Sequence, residues 1–411
     1  MPREEQDALV IGGGLVGLCC AIGLQRRGLA TLLIDPQSTV RPASWGNAGH
    51  IAVEQVEPLA SWPVILNVWR HLFLRGGPVA LPPREIGAWL PFALRFAGAA
   101  RRFAPGKAAL SSLVAGALPA WRALLAEAGA PDLLVENGHM LVWESEAAAR
   151  KGRAAWAKAD TGEVRFRDAS PEELALLPVP LAGGLRFQGT AQIADPTGLD
   201  DALDAHFAAL GGRRLRGSAD ALELEDGRAF VRAGGTRFAA AHVLVAAGTG
   251  ARPLLERIGH KVPLIAERGY HIQAEADWPE GLPPVVFEER SMIVTSFRSG
   301  LRAAGFVEFA RPEAPPDPRK WRRLRAHAAA LRLPFRVEPK QWTGARPTLP
   351  DYLPALGRSR RASNLFYAFG HQHLGLTLSA VTGRHMAALV AGEAPEIDLS
   401  PFDIERFGRR L

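Results

Sequence analysis

Residues 7–35, DALVIGGGLVGLCCAIGLQRRGLATLLID, decide the fold. They read as a strand (DALVIG), a glycine turn, an apolar helix (LVGLCCAIGLQRRG) and a second strand (ATLLID). Strand, crossover helix and parallel strand make a βαβ unit. Gly12 makes the tight turn, Gly14 lets the backbone approach a pyrophosphate, and Gly17 lets helix and strand pack closely. The helix opened by Leu15 and Val16 offers its N-terminus to phosphate. Asp35, followed by Pro36, ends the second strand 18 residues past Gly17. A carboxylate there accepts hydrogen bonds from a ribose diol and disfavours a 2′-phosphate. In this context the glycines point to an adenine dinucleotide, without choosing between FAD and NAD.

The remaining 411-residue chain sets bounds on that reading. With 47% hydrophobic and 22% charged residues it can bury substantial cores, so wholesale disorder is excluded and two to three domains are expected. Its 49 basic and 42 acidic residues leave a net charge of +7. The basic residues are scattered, without the concentrated patch of a nucleic-acid binder, so small anions or an acidic membrane surface are the expected partners. The two cysteines, Cys19 and Cys20, are adjacent, which argues against a disulfide between them and against a four-ligand metal site. A reduced, cytoplasmic setting fits, with peripheral contact at the inner face of the cell membrane left open. The uncharged run 8–24 follows Glu4, Glu5 and Asp7, the wrong charge for a signal peptide, and reads as buried strand, turn and helix.

Further along, Trp, Phe and Leu alternate with Arg and with Pro/Gly breaks between Trp62 and Ala104, suggesting several short amphipathic helices. Residues 219–235 read as a hairpin turning at Asp226-Gly227, leading into a buried strand, HVLVAAG. The end of the chain repeats the opening pattern: strand (NLFYAFG), Gly-rich turn, helix. One nucleotide-binding domain assembled from distant segments is therefore expected, with no metal cluster and no nucleophile motif such as GxSxG.

Three further stretches carry a resemblance: ASWGNAGHIA (43–52); HVLVAAGTGARPLLERIG (242–259) with PLIAERGYH (263–271); and WTGARPTLPDYLPALG (342–357) with NLFYAFGHQHLGLTLSAVTGR (364–384). With them the chain resembles the D-amino-acid oxidase superfamily of flavoenzymes, and within it the bacterial D-amino-acid dehydrogenases. The turn GHQHLGLT is similar to that of D-hydroxyproline dehydrogenases. The resemblance implies an α/β fold: a Rossmann-like FAD-binding domain from discontinuous segments (1–55, 188–262 and 342–411) and a mixed-sheet α+β substrate domain (56–187 and 263–341). It implies noncovalent FAD. Ser44, Asn47 and Gly49 would wrap the pyrophosphate and flavin, Ala219 would hold adenine through its backbone, and Ala247 and Gly248 would line the cofactor. The turn containing Gly370, His371, Gly375, Leu376 and Thr377 would open a helix facing the flavin. His50 is the candidate for a histidyl link, the cysteines being on the first helix.

On the substrate side, Arg346 matches the arginine that pairs with a substrate carboxylate in D-amino-acid and glycine oxidases, with a structural pairing to Asp351 as the other reading. Those oxidases also use a tyrosine in the second domain, but the matching run Ser291–Val294 carries methionine there. Tyr270 and Arg290 are the substitutes considered, and His373 is a candidate pocket residue. The implied activity is dehydrogenation of a D-amino or cyclic imino acid, a D-proline or hydroxy-D-proline type included, by hydride transfer to flavin. The implied electron acceptor is a quinone or carrier protein. A glycine or sarcosine-type oxidase using O₂, a flavoprotein subunit of a larger complex and an NAD-dependent dehydrogenase are the competing readings.

Overall fold

The fully apolar strand Leu9–Ile11 needs neighbours on both sides and helices on both faces, as parallel strands do. In the computed structural model, which describes residues 6–36 and 43–408, it has them. Gln6–Ile11 lies inside a six-stranded sheet of order Arg213–Arg216, Thr31–Asp35, Gln6–Ile11, Ala240–Val245, Leu365–Phe369, Ala355–Arg358. All pairings are parallel except the last. The opening and closing units thus meet in one sheet. Their helices, Leu15–Gln25 and Gly375–Val390, pack face to face through glycine. A Cβ on Gly383 would lie 2.6 Å from the Cys19 backbone, so no side chain fits there. The hairpin forms as read, with Asp226 and Gly227 both at positive φ (50° and 72°), the turn that matches strand twist.

A second, nine-stranded mixed sheet runs Lys340–Thr348, Ile265–Ala274, Gly300–Ala310, Met292–Phe297, Val285–Phe287, His139–Trp143, Gly183–Gln188, Arg165–Asp168, with Val79–Ala80 paired to Gly300–Ala310. Lys340–Thr348 belongs to this sheet, so the boundary expected at 342 falls inside a strand. Phe103–Ala115 and Ala117–Glu127 also depart from the expected division. They pack on Gly375–Val390, and the buried Trp121 donates its indole N–H to the Leu376 carbonyl at 3.0 Å. The amphipathic helix Pro318–Ala330 covers one face of the second sheet with Trp321 and Leu324.

A small third sheet, His50–Ile51 with Ala191–Ile193 and Leu134–Val135, connects these bodies.

Candidate active site

Where the parallel strands end, their loops and the edge strand Lys340–Thr348 enclose a cavity of about 570 Å³. Gly12 sits at φ 106°, and a Cβ on it would lie 2.6 Å from the Ala246 carbonyl oxygen. A Cβ on Gly17 would meet the Gly12 oxygen at 1.8 Å, so Gly17 acts by packing and lies behind the cavity wall. Gly14, Leu15 and Val16 face the cavity, and around a Cβ at Gly14 the nearest atom is Ser44 Oγ at 3.4 Å. Asp35 has two tasks. One carboxylate oxygen accepts from the Gly13 N–H at 2.7 Å and fixes the turn, while the side chain and Pro36 line the cavity. Ser218, Ala219, Ala247, Gly248 and Thr249 form the adjoining wall.

Ser44 and Asn47 line the cavity, on a loop that organises itself: the Asn47 amide donates to the Ser44 carbonyl and its oxygen accepts from Gly49 N–H at 2.6 Å. Two residues absent from the sequence reading fasten this loop to the second sheet. Arg302 donates to the Trp45 carbonyl at 3.1 Å and to that of Asn47; Thr295 Oγ1 donates to Ala48 at 2.8 Å. Burial pushes the Arg302 guanidinium down to about 10. Gly49 (φ 72°) packs against Phe297 rather than lining the cavity. The next side chain, His50, pairs with Glu54 at 3.1 Å and is likewise not part of the cavity wall.

On the other side of the cavity stands Arg346, with its side chain about a quarter exposed. Its partner is Glu267, at 3.4 Å, while Asp351 pairs with Arg406 at 2.6 Å. Glu267 is buried and accepts further hydrogen bonds from Thr348 Oγ1 (3.0 Å) and the Tyr352 hydroxyl (3.2 Å). Burial and this carboxylate drive the Tyr352 hydroxyl pKa well up. The Trp342 ring lies over Gly46 and Gly344, where a Cβ would fall 2.1 Å from it, and stacks on His271.

His371, Gln372, His373, Gly375 and Leu376 line the cavity where the helix Gly375–Val390 begins. That N-terminus is a fixed partial positive charge. The histidines add none: burial holds His371 down to about 3 and depresses His373. They hydrogen-bond Thr382 Oγ1 at 3.0 Å and Gln55 Oε1 at 2.7 Å. Gly370 (φ 82°) and Thr377 support the turn without lining the cavity; the Thr377 hydroxyl accepts from Ala52 N–H at 2.9 Å.

Two expected substrate residues lie elsewhere. Tyr270 points to the opposite face of its strand, where its hydroxyl donates to Glu308 at 2.9 Å and its ring meets Trp321. Arg290 pairs with Glu144 through both guanidinium arms and contacts His327 at 3.0 Å, away from the cavity. Met292 is buried in the core of the second sheet.

The cradle suits a dinucleotide: a glycine turn closed by Asp35, a helix N-terminus at each of two ends, and side-chain-free backbone between. A family model described as FAD dependent oxidoreductase matches residues 7–389. The chain belongs to that family. FAD is therefore the cofactor of this oxidoreductase, and the NAD reading falls. The flavoenzyme is 32% identical to a D-amino-acid oxidase of Bradyrhizobium diazoefficiens, over 98% of this chain and 99% of the relative. It is 28% identical to a D-amino acid dehydrogenase of Cereibacter sphaeroides, over 97% and 95%. Among solved structures, a glycine oxidase from Geobacillus kaustophilus shares the fold with TM-score 0.74 at 21% identity, covering 98% of this chain and 99% of that one. An L-proline dehydrogenase from P. horikoshii does so with TM-score 0.75 at 16% identity, covering 99% of both.

Proposed function

We propose that this flavoenzyme dehydrogenates a D-amino or cyclic imino acid, D-proline derivatives included, and passes the electrons to a quinone or carrier. The observation that carries the reading is Arg346, a cation in the cavity wall whose counter-charge, Glu267, stands 3.4 Å away. FAD, when bound, supplies the two-electron acceptor to which the substrate Cα hydrogen passes as hydride. The protein binds, orients and dries the site. Arg346 offers a planar two-pronged donor to a carboxylate, and Glu267, anchored by Thr348 and Tyr352, keeps it extended. His371 and His373 are neutral, and the other cation of the wall, Arg268, is already paired with buried Glu308 at 2.9 Å, so Arg346 is the cation left to meet a carboxylate. The names of the relatives, D-amino-acid oxidase and D-amino acid dehydrogenase, support this substrate class. A dye-reduction screen over D-amino acids, glycine derivatives and both enantiomers of proline and hydroxyproline tests it; turnover of none of them refutes it.

The acceptor reading is supported by an exposed surface. Ten of the thirteen exposed large hydrophobic residues among those described fall between Leu59 and Leu94. The helix Ile86–Ala99 buries Phe92 against Tyr352 and Ile265 and turns Ile86, Leu90 and Leu94, one stripe at i, i+4 and i+8, to solvent. Trp62, Leu66 and Trp69, earlier in the same segment, are exposed as well. Residues 58–126 contain a single acid, Glu85, which is buried on Arg311; Lys107 pairs with Glu57 and Asp160 and Arg122 with Glu136, which leaves six arginines between Arg70 and Arg102 as the positive charge of the segment. A second copy would set like charges together, whereas an anionic bilayer complements both the charge and the apolar stripe. Cosedimentation with anionic vesicles at low salt, lost in Leu90→Asp/Leu94→Asp, is expected. Protein that stays in the supernatant would favour a soluble carrier.

A further inference from the structure

We propose that His50, Glu54 and His139 bind one divalent transition-metal ion, zinc by preference, at a site separate from the flavin cavity. These three side chains are far apart in sequence but bring one ligand atom each to within 4.8 Å of one another. His50 and Glu54 come from the segment that leaves the third sheet, and His139 begins a strand of the second. The donor set, two imidazoles and a carboxylate, is one that zinc uses. His50 Nε2 and Glu54 Oε1 lie 3.1 Å apart, a hydrogen bond in the metal-free site and close to the ~3.3 Å edge of a tetrahedron with bonds of about 2.0–2.1 Å; the wider 4.8 Å span of the set requires the donors to draw in when the ion binds.

Three independent features point to a ligand. First, the site is buried, with residue exposures of 6% for Glu54 and 3% for His139, yet Glu54 Oε2, the second oxygen of the carboxylate, finds no partner among the described residues. A buried carboxylate oxygen left bare is costly, and such groups call for an unseen ion or water. Second, His139 Nδ1 lies 3.0 Å from Thr190 Oγ1. With Nδ1–H donating to the threonine hydroxyl, Nε2 keeps its lone pair, which is how metal-bound histidines are oriented. Stacking on Phe187, at 4.2 Å, fixes the ring plane. Third, Gln192 is the cross-strand partner of His50, so it stands on the same sheet face, and its Oε1 is also buried without a partner. It offers a fourth oxygen, directly or through water.

An ion here would tie the segment 50–55 to the second sheet. Gln55, next to Glu54, holds His373 in the cavity wall, so the metal would set the position of that wall without touching the reacting atoms.

The test uses the FAD-loaded protein, stripped with a chelator and dialysed against zinc, with metal counted per flavin and affinity measured by competition with a chromogenic chelator. About one zinc per flavin is expected. Glu54→Gln and His139→Gln should each weaken binding at least tenfold, and Thr190→Val, which leaves the ligands in place, by about tenfold. Zinc should raise the melting temperature of the wild type and not of Glu54→Gln. Substoichiometric zinc in the wild type overturns the proposal, as does undiminished binding in the ligand variants, which would locate the ion elsewhere. If the ligand variants fail to fold, wild-type stoichiometry and Thr190→Val still decide.

Discussion

Replacing Arg346 by Ala tests the functional reading where the structure is most specific. The guanidinium is about a quarter exposed and 3.4 Å from Glu267, so in the resting protein it is only loosely neutralised and can turn toward an incoming carboxylate. Without it, the substrate anion is buried near Glu267, which Thr348 and Tyr352 hold in place. Removing one partner of a buried charge pair costs about 2–5 kcal/mol, so kcat/KM should fall by about 30- to 5,000-fold. Lys at 346 keeps the charge but loses the fork and should fall between the two. FAD content, read from the visible spectrum, should be retained, because the residues that cradle the pyrophosphate are untouched. The decisive assay is dye reduction with an amino acid against its amide: the wild type should prefer the acid strongly, and Arg346→Ala should not. Retention of that preference would refute the assignment and place the carboxylate contact elsewhere.

Asp35→Asn should weaken FAD binding by about 10- to 150-fold, the cost of one charged hydrogen bond of about 1.5–3 kcal/mol, and Asp35→Ala by more, since it also frees Gly13. Flavin-fluorescence titration of the apoprotein measures both, and an unchanged Kd would take Asp35 out of the site. Acid precipitation should release the flavin to the supernatant, because both cysteines are buried in the first helix and His50 faces Glu54; colour in the pellet would mean a covalent link. Tyr270→Phe should lower stability by about 1–3 kcal/mol in urea titration while changing kcat/KM less than about twofold, its hydroxyl serving Glu308 and the Asp317 N–H; a large kinetic effect with unchanged stability would return it to the substrate. Burial holds His371 down to about 3, and burial with Arg302 and Arg346 holds His271 down to about 3. Protons then bind the unfolded chain first, so stability is full above pH 6.5 and falls as pH drops toward 3, each histidine costing about 1.4 kcal/mol at pH 5.5. Urea midpoints that do not move between pH 7.5 and 5.5 would contradict this.

The cofactor half was legible in sequence because its determinants are local. Gly12, Gly14 and Gly17 answer to a turn and a helix within a few residues, and the same holds for the turn from Gly370 to Leu376. The substrate half depends on strand parity, which a resemblance does not fix. In Ile265–Ala274, Glu267 and His271 face the Arg346 side while Tyr270 faces Glu308 and Trp321, so choosing the wrong member of RGYH moves the residue across the sheet. Arg290 had its counter-charge, Glu144, 146 positions earlier, beyond any pattern. His50, read as a flavin-link candidate, and His139, 89 positions later, meet only through sheet pairing.

Arg302 shows why the two halves work as one site. Its guanidinium leaves the second sheet, gives its donors to the carbonyls of Trp45 and Asn47 and to the Gln273 side chain, and lies over the Phe297 ring. A buried cation facing carbonyl oxygens keeps its charge only if those oxygens hold their positions, so the loop that lines the flavin cavity and the sheet that carries Arg346 are ordered together. Glu267 mirrors it: a buried anion whose donors, Thr348, Tyr352 and Arg346, all come from the strand Lys340–Thr348 and the turn after it. Each charge is satisfied by groups from another segment, which fixes the relation between the cofactor cradle and Arg346 to hydrogen-bond tolerance. Holding a substrate carboxylate, the role proposed for Arg346, requires that tolerance, and the carboxylate beside the guanidinium, Glu267, is already occupied by Thr348 and Tyr352.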